Sequence, residues 1–351
     1  MTVTTLTDPW ALGPLRVPNR VLLAPLAGIG NWFVRLQAAR YGAGMTVSEM
    51  VSSHAIHYGN ERTCVEMLRI HPDERAAGTG GPVSIQLFGE DPAVMRSAAA
   101  HVAARTTADA IDINMGCPVP KVRKTGAGAA MLADPDLAVT VARAAGEGVR
   151  DAGRELPITV KLRSGLRPGE ESGFALAHRL VEEAGVAAIA FHPRSAAVHH
   201  KGVPDYELAR RLVESLPAPV ILTGGLSDAA HAREVFELTG ASAVMLARGS
   251  LGNPWLFQQL LEQDEREPTR PEILDELAWT IDRAVEHLGE PRATRYLRKF
   301  YPWYVARLEL DCAASKRLSE SLQHADTLGQ VRELLADLLA RNEPPPLAAA
   351  P

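Results

Sequence analysis

The chain has 351 residues, 46% hydrophobic and 23% charged, with a formal net charge of −5 at neutral pH. Those values exclude an intrinsically disordered chain, and the length fits one large domain with a modest appendage. No apolar run approaches the ~20 residues of a membrane span, and the three widely spaced cysteines supply neither a disulfide framework nor a metal-ligand spacing.

The first residues, Met1 to Thr5, lack the basic start and apolar stretch of a signal peptide, so a cytoplasmic protein is expected. Short apolar, often β-branched runs then recur over 21–23, 45–48, 83–87, 110–114, 158–162, 188–192, 220–223 and 243–246. Stretches of helical period separate most of them, at 92–104, 135–146, 173–184, 206–216 and 229–238. Alternation of strand and helix predicts a parallel sheet. Eight units in ~240 residues match a (β/α)8 TIM barrel. A doubly wound sheet is the alternative, but no G-x-G-x-x-G or Walker A sequence follows any strand.

The barrel is expected over residues 1–260. After Trp255 the charged, proline-containing stretch 262–271 reads as a linker. Ile273, Leu274, Leu277, Ile281, Ala284, Val285 and Leu288 form a helical stripe, Arg292, Arg295 and Lys299 follow on one basic face, and a last helix covers 331–339. A small all-helical domain is therefore expected over 270–342, followed by a disordered Pro- and Ala-rich tail over 343–351.

The acidic net charge argues against a nucleic-acid partner, but it hides a split. Residues 258–290 hold ten acids and three bases, whereas 291–318 hold seven bases and two acids. A basic patch of this kind suits RNA, and a solvated helix face is the plain alternative.

Active-site groups of such barrels sit at the C-terminal ends of the strands. Here those ends carry Pro25-Leu26-Ala27, Glu49, Gln86, Asn114 to Cys117, Lys161 to Arg163, His192 to Arg194, Thr223-Gly224-Gly225 and Ala247-Arg248. The loops after strands seven and eight are where barrels commonly hold phosphate, and Arg248 adds charge there. Lys161 ends an otherwise apolar strand, so an inward side chain would need an electron-rich partner such as a flavin edge, a carboxylate, or a Schiff-base substrate. Gln86 can donate and accept, as a flavin edge requires. Cys117 lies between Gly116 and Pro118 in a loop, where a protonated thiol can act as a general acid. The neighbouring Lys121, Arg123 and Lys124 could hold phosphates.

These motifs resemble one family. Ala24-Pro25-Leu26-Ala27-Gly28, Ser48-Glu49-Met50, Gln86-Leu87-Phe88-Gly89, Asp112 through Pro118, Val160 through Arg163, and Arg248-Gly249 with Gly252 to Trp255 are similar to the tRNA-dihydrouridine synthases, and closest to the bacterial B-type branch. The resemblance implies FMN in the barrel, NADPH as electron source, tRNA as partner and reduction of uridine to dihydrouridine. It places Pro25, Leu26, Ala27, Gln86, Lys161 and His192 at the flavin ring, and Thr223, Gly224, Gly225, Ala247 and Arg248 at its phosphate end. Cys117 becomes the proton donor; Asn114, Arg163, Lys121, Lys124, Arg295, Arg298 and Lys299 fall to substrate and tRNA. A monomer without metal is expected.

The chain departs from the family where Thr223-Gly224-Gly225 replaces Asn-Gly-Asp, His192-Pro193-Arg194-Ser195 replaces His-x-Arg-Thr, Gly30-Asn31 stands for Thr-Asp or Thr-Asn, and Ala247 stands for glycine. These departures keep two other readings open: a flavin barrel acting on a free pyrimidine or enone, and a non-catalytic RNA-binding barrel.

Overall fold

The computed structural model describes residues 4–76, 81–262 and 265–340. The chain divides into two units, one of residues 1–250 with 256–264 and one of 251–255 with 265–351.

The first unit runs β1 (Trp10–Leu12), β2 (Leu15–Val17), β3 (Val21–Leu23), α1 (Trp32–Arg40), β4 (Met45–Val47), β5 (Val51–Ser52), α2 (Ser53–His57), β6 (Val83–Phe88), α3 (Pro92–Arg105), β7 (Ala110–Met115), α4 (Pro120–Arg123), α5 (Pro135–Asp151), β8 (Ile158–Arg163), α6 (Ser172–Ala184), β9 (Ala188–His192), α7 (Tyr206–Ser215), β10 (Val220–Thr223), α8 (Ala229–Thr239) and β11 (Ala243–Leu246). Helix α9 spans Trp255–Glu262. Among the described residues, eight parallel strands close in the order β3-β4-β6-β7-β8-β9-β10-β11, with β11 returning to β3. This is the predicted (β/α)8 barrel, and all eight predicted strands are present with ends that differ by at most one residue.

Local chemistry sets the helix starts. Asp91, Asp134, Asp205 and Asp228 each accept a main-chain N–H of the first turn of the following helix, and Pro92 and Pro135 occupy first positions where no N–H is needed. Gly185 and Gly240 end α6 and α8 in the left-handed conformation.

Leu22, Met45, Ala110, Ala188, Ile221 and Ala243 pack within the barrel, and Trp10, Leu12 and Val17 of the β1–β2 hairpin join the same cluster, closing the end opposite the functional rim. The hairpin, α1 and α9 were not anticipated; three-residue strands carry too little periodicity to register.

In the second unit, α10 (Arg270–Leu288) buries Ile273, Leu274, Leu277, Ile281 and Ala284, the predicted stripe, behind a Thr269–Glu272 capping box. It is followed by α11 (Glu290–Leu297), α12 (Tyr301–Val305), α13 (Cys312–His324) and α14 (Leu328–Ala340). Helix α11 stops at Leu297, so Lys299 does not share a helix face with Arg292 and Arg295 as expected. Pro302 instead starts α12, where its missing N–H costs nothing. The expected disordered tail, 343–351, lies outside the described residues.

Candidate active site

Strand register stacks the inward side chains at the rim. Gln86 pairs with Asp112, which pairs with Thr159; one layer further out Asn114 pairs with Lys161, which faces Ala190; Arg163 pairs with His192. Alternation along a strand therefore puts Gln86, Asp112, Asn114, Thr159 and Lys161 on the inner face.

Asp112 lies at the base of this stack with 2% of its surface exposed. One carboxylate oxygen accepts from Gln86 Nε2 at 2.6 Å and the other from Thr159 Oγ1 at 2.6 Å. Burial pushes its carboxyl pKa up, while the Gln86 and Thr159 hydrogen bonds and the Lys161 charge pull it back. Gln86 Oε1 accepts from Asn114 Nδ2 at 2.9 Å. Asn114 Oδ1 in turn accepts the main-chain N–H of Gly116 at 3.2 Å and of Cys117 at 2.9 Å.

Cys117 is a half-buried free thiol at the end of that chain. Ala129 N–H donates to its carbonyl, and Gly128, at φ +63°, leaves no space for a side chain because a Cβ would sit 2.8 Å from the Cys117 carbonyl oxygen. The loop is thus held from both sides.

Lys161 Nζ makes no hydrogen bond or ion pair with another described residue. Burial lowers its pKa from 10.5 to about 8; Arg163 adds to the shift, and Asp112 and Cys117 oppose it. Arg163 has another task than the expected substrate contact: it is buried, with Nε on the Gly116 carbonyl and Nη1 on the carbonyls of Ser195 and His199, so it ties three rim segments together. Burial holds His192 well below the usual imidazole range, and the Lys161, Arg163 and Arg194 charges add to that. The ring is therefore neutral, and its Nε2 accepts from Arg194 Nη1 at 3.3 Å.

Thr223 turns its hydroxyl toward the neighbouring strand, donating to the Met245 carbonyl at 3.0 Å. Gly224 and Gly225 both have positive φ, +103° and +84°. A Cβ at 224 would lie 2.3 Å from the His192 ring, and one at 225 would lie 2.4 Å from Tyr206 Oη. The Tyr206 hydroxyl donates to the Gly224 carbonyl at 3.1 Å and sits 3.2 Å from His231 Nε2. The tyrosine fills the volume that the family's aspartate would need. Arg248 is exposed in the short turn after β11. Burial, then Arg248, Arg163 and Arg194, push His200 down to about 4. Lys161, Arg163, Arg194, His200 and Arg248 thus form a run of basic groups that oppose one another's protonation, which favours an anion among them.

The rim therefore gathers Gln86, Asn114, Cys117, Lys161, His192, Thr223 to Gly225 and Arg248. Leu26 is buried beside it, with Pro25 and Ala27 more open; Ala247 is half-buried and belongs to the barrel packing. Lys121 and Lys124 are exposed on and just after α4, next to the Cys117 loop. In the second unit Arg295 is exposed, Arg298 reaches the Ala325 carbonyl, and Lys299 stacks 3.7 Å from the Tyr296 ring centre. Sequence reasoning missed Asp112, Thr159, His200 and Tyr206 as site residues. Only for Asp112 was a signal present, a carboxylate inside an apolar run.

This arrangement fits a flavin mononucleotide: a half-buried ammonium without a partner among the described residues for the ring edge, a side-chain-free turn over two glycines, and basic groups for the phosphate. Fold and rim together define the class, a (β/α)8-barrel enzyme with its working groups on the strand C-termini. The fold is shared with morphinone reductase, which superposes with a TM-score of 0.54 at 16% identity over 77% of this chain and 92% of that one. Histamine dehydrogenase from Rhizobium sp. 4-9 shares it too, with a TM-score of 0.54 at 14% identity over 74% of this chain and 48% of that one.

Residues 22–342 match the family model described as dihydrouridine synthase (Dus), and the chain belongs to that family. It is 34% identical to tRNA-dihydrouridine synthase B of Proteus vulgaris over 84% of this chain and 88% of that protein. With tRNA-dihydrouridine synthase B of Xanthomonas campestris pv. campestris it shares 31% identity over 97% of this chain and 99% of that protein.

Proposed function

We propose that this protein reduces uridine in tRNA to 5,6-dihydrouridine in the cytoplasm, with FMN held in the barrel mouth and NADPH as the electron source. The observation that carries the chemistry is Lys161, a half-buried ammonium with no partner among the described residues, next to the Cys117 thiol. When bound, the flavin supplies a hydride to C6 of the uracil ring.

The residues do the rest. Lys161 and Gln86 face the ring edge, the Gly224-Gly225 turn admits the phosphate end, and Arg248 offers it positive charge beside a neutral His200. Cys117 Sγ–H delivers the proton to C5. The thiolate left behind lies close enough to Lys161 and Arg163 to stabilise their charged forms. Neutral His192 packs at the rim as a hydrogen-bonding wall without adding charge. A uracil inside a duplex cannot reach this rim, so the base has to leave its stack. Exposed Lys121, Lys124 and Arg295 are suited to backbone phosphates, which weakens binding as salt rises.

Purified protein should carry FMN, and with NADPH and unmodified tRNA it should yield dihydrouridine. Cys117→Ala should leave flavin reduction by NADPH intact and stop oxidation of the reduced flavin by tRNA. Equal loss of both steps removes the thiol from the mechanism, and a protein that neither binds FMN nor forms dihydrouridine defeats the proposal.

A further inference from the structure

The hydrogen bonds under Cys117 have one direction. A carboxylate accepts only, whereas each amide can turn either end toward its neighbour. Because Asp112 accepts from Gln86, the Gln86 carbonyl must face Asn114, the Asn114 amide nitrogen must face Gln86, and the Asn114 carbonyl must face the N–H groups of Gly116 and Cys117. Reversing Gln86 would set a carbonyl against the carboxylate and two NH2 groups against each other. Reversing Asn114 would set an NH2 against two main-chain N–H groups. The carboxylate at the inner end and the two main-chain N–H groups at the outer end therefore enforce one and the same direction.

We propose that Asp112 is a positioning residue that fixes the orientation of Gln86 and Asn114, and through them the loop that presents the Cys117 thiol. The assignment rests on the reading above that Cys117 donates the proton. Thr159 supplies a second bond to Asp112, but from the side away from Asn114 and Cys117, so it steadies the carboxylate without entering the directed chain. Lys161, on the strand beside Asp112, is the charge that favours the ionised form on which the direction depends.

The test is Asp112→Asn in the full flavin-loaded chain. The change is isosteric, and the Thr159 hydroxyl can rotate to accept from the new amide, so no buried group is orphaned. The amide is a weaker acceptor than the carboxylate and no longer enforces a direction, so Gln86 loses its inner anchor and the two main-chain N–H groups alone set the sense of Asn114. A displacement of about 1 Å in a reacting group can cost ~100-fold. Oxidation of the reduced flavin by tRNA should therefore slow by about tenfold to a hundredfold. Flavin reduction by NADPH should stay within a small factor. Independently of turnover, alkylation of Cys117 by iodoacetamide, followed by peptide mass, should change in rate and in pH profile.

If Asp112→Asn does not accumulate, Asn114→Asp tests the chain from its other end: it still accepts from Gly116 and Cys117 but cannot donate to Gln86. Its Cys117 alkylation profile should then shift. Wild-type alkylation and wild-type tRNA oxidation in Asp112→Asn overturn the assignment, as does an unshifted Asn114→Asp. A wild-type protein that binds FMN and forms dihydrouridine keeps the proposed function standing in any of those cases.

Discussion

Replacing Lys161 by methionine should stabilise the flavin-free protein and weaken flavin binding at the same time. A lysine whose pKa falls from 10.5 to about 8 on folding opposes folding by about 3 kcal/mol at neutral pH, at ~1.36 kcal/mol per pKa unit. Methionine keeps most of the volume and removes the charge. That figure is already net of the attraction between the ammonium and Asp112, so the variant should gain up to about 3 kcal/mol.

The sign with pH is fixed. The folded state binds fewer protons at Lys161 than the unfolded chain between pH 8 and 10.5, so wild-type stability rises through that window relative to the variant. The difference should be greatest below pH 8 and vanish toward pH 10.5. Urea denaturation of the flavin-free proteins from pH 6 to 10 measures it, and FMN titration should show binding weakened by about tenfold or more, the loss of a charged hydrogen bond. Equal stability of the two proteins across the whole range, or a variant less stable at pH 7, would refute the reasoning that the half-buried ammonium awaits a ligand.

Other perturbations probe neighbouring parts of the barrel. Arg248→Ala should weaken FMN by about tenfold and leave riboflavin binding unchanged, since only FMN offers a phosphate; parallel titrations decide it. Gly225→Asp, which restores the family residue, should destabilise the fold by roughly 2 kcal/mol or more, because φ is +84° and the new Cβ meets Tyr206 Oη; Tyr206→Phe in the same chain should recover part of the loss on thermal melting. Glu74→Gln should cost roughly 3–5 kcal/mol in denaturant, since Arg35 Nε and Nη2 hold that buried carboxylate at 2.8 and 3.0 Å and would be left without their counter-charge.

Much of this barrel was legible because its strands are continuous apolar runs buried on both faces, and its helices open on Asp or Asp-Pro. Those signals are local. The rim was legible as a list, since every strand end names its own residue, but the bonds among those residues cross strands. Thr223 shows the limit: its hydroxyl turns back to the Met245 carbonyl, on a strand more than twenty positions away, and nothing in Thr-Gly-Gly announces that. Arg163 shows it again, since a charge at a strand end reads as substrate contact until three carbonyls from other loops are seen to occupy it. The Arg35–Glu74 pair joins two segments whose spacing has no period.

The inner layers of the barrel differ in what they accept. Toward the closed end Leu22, Met45, Ala110 and Ile221 pack as ordinary core, and a volume-conserving swap there would be tolerated. One layer up, Gln86, Asp112 and Thr159 satisfy one another, and above them Asn114 is satisfied while Lys161 is not. A buried polar layer is costly where a member lacks a partner, so natural selection for stability alone would have filled position 161 with an apolar residue. The same lysine that weakens the empty barrel is the group best placed to meet an electron-rich ring. The polar residues below it have partners in one another, which confines the uncompensated charge to Lys161.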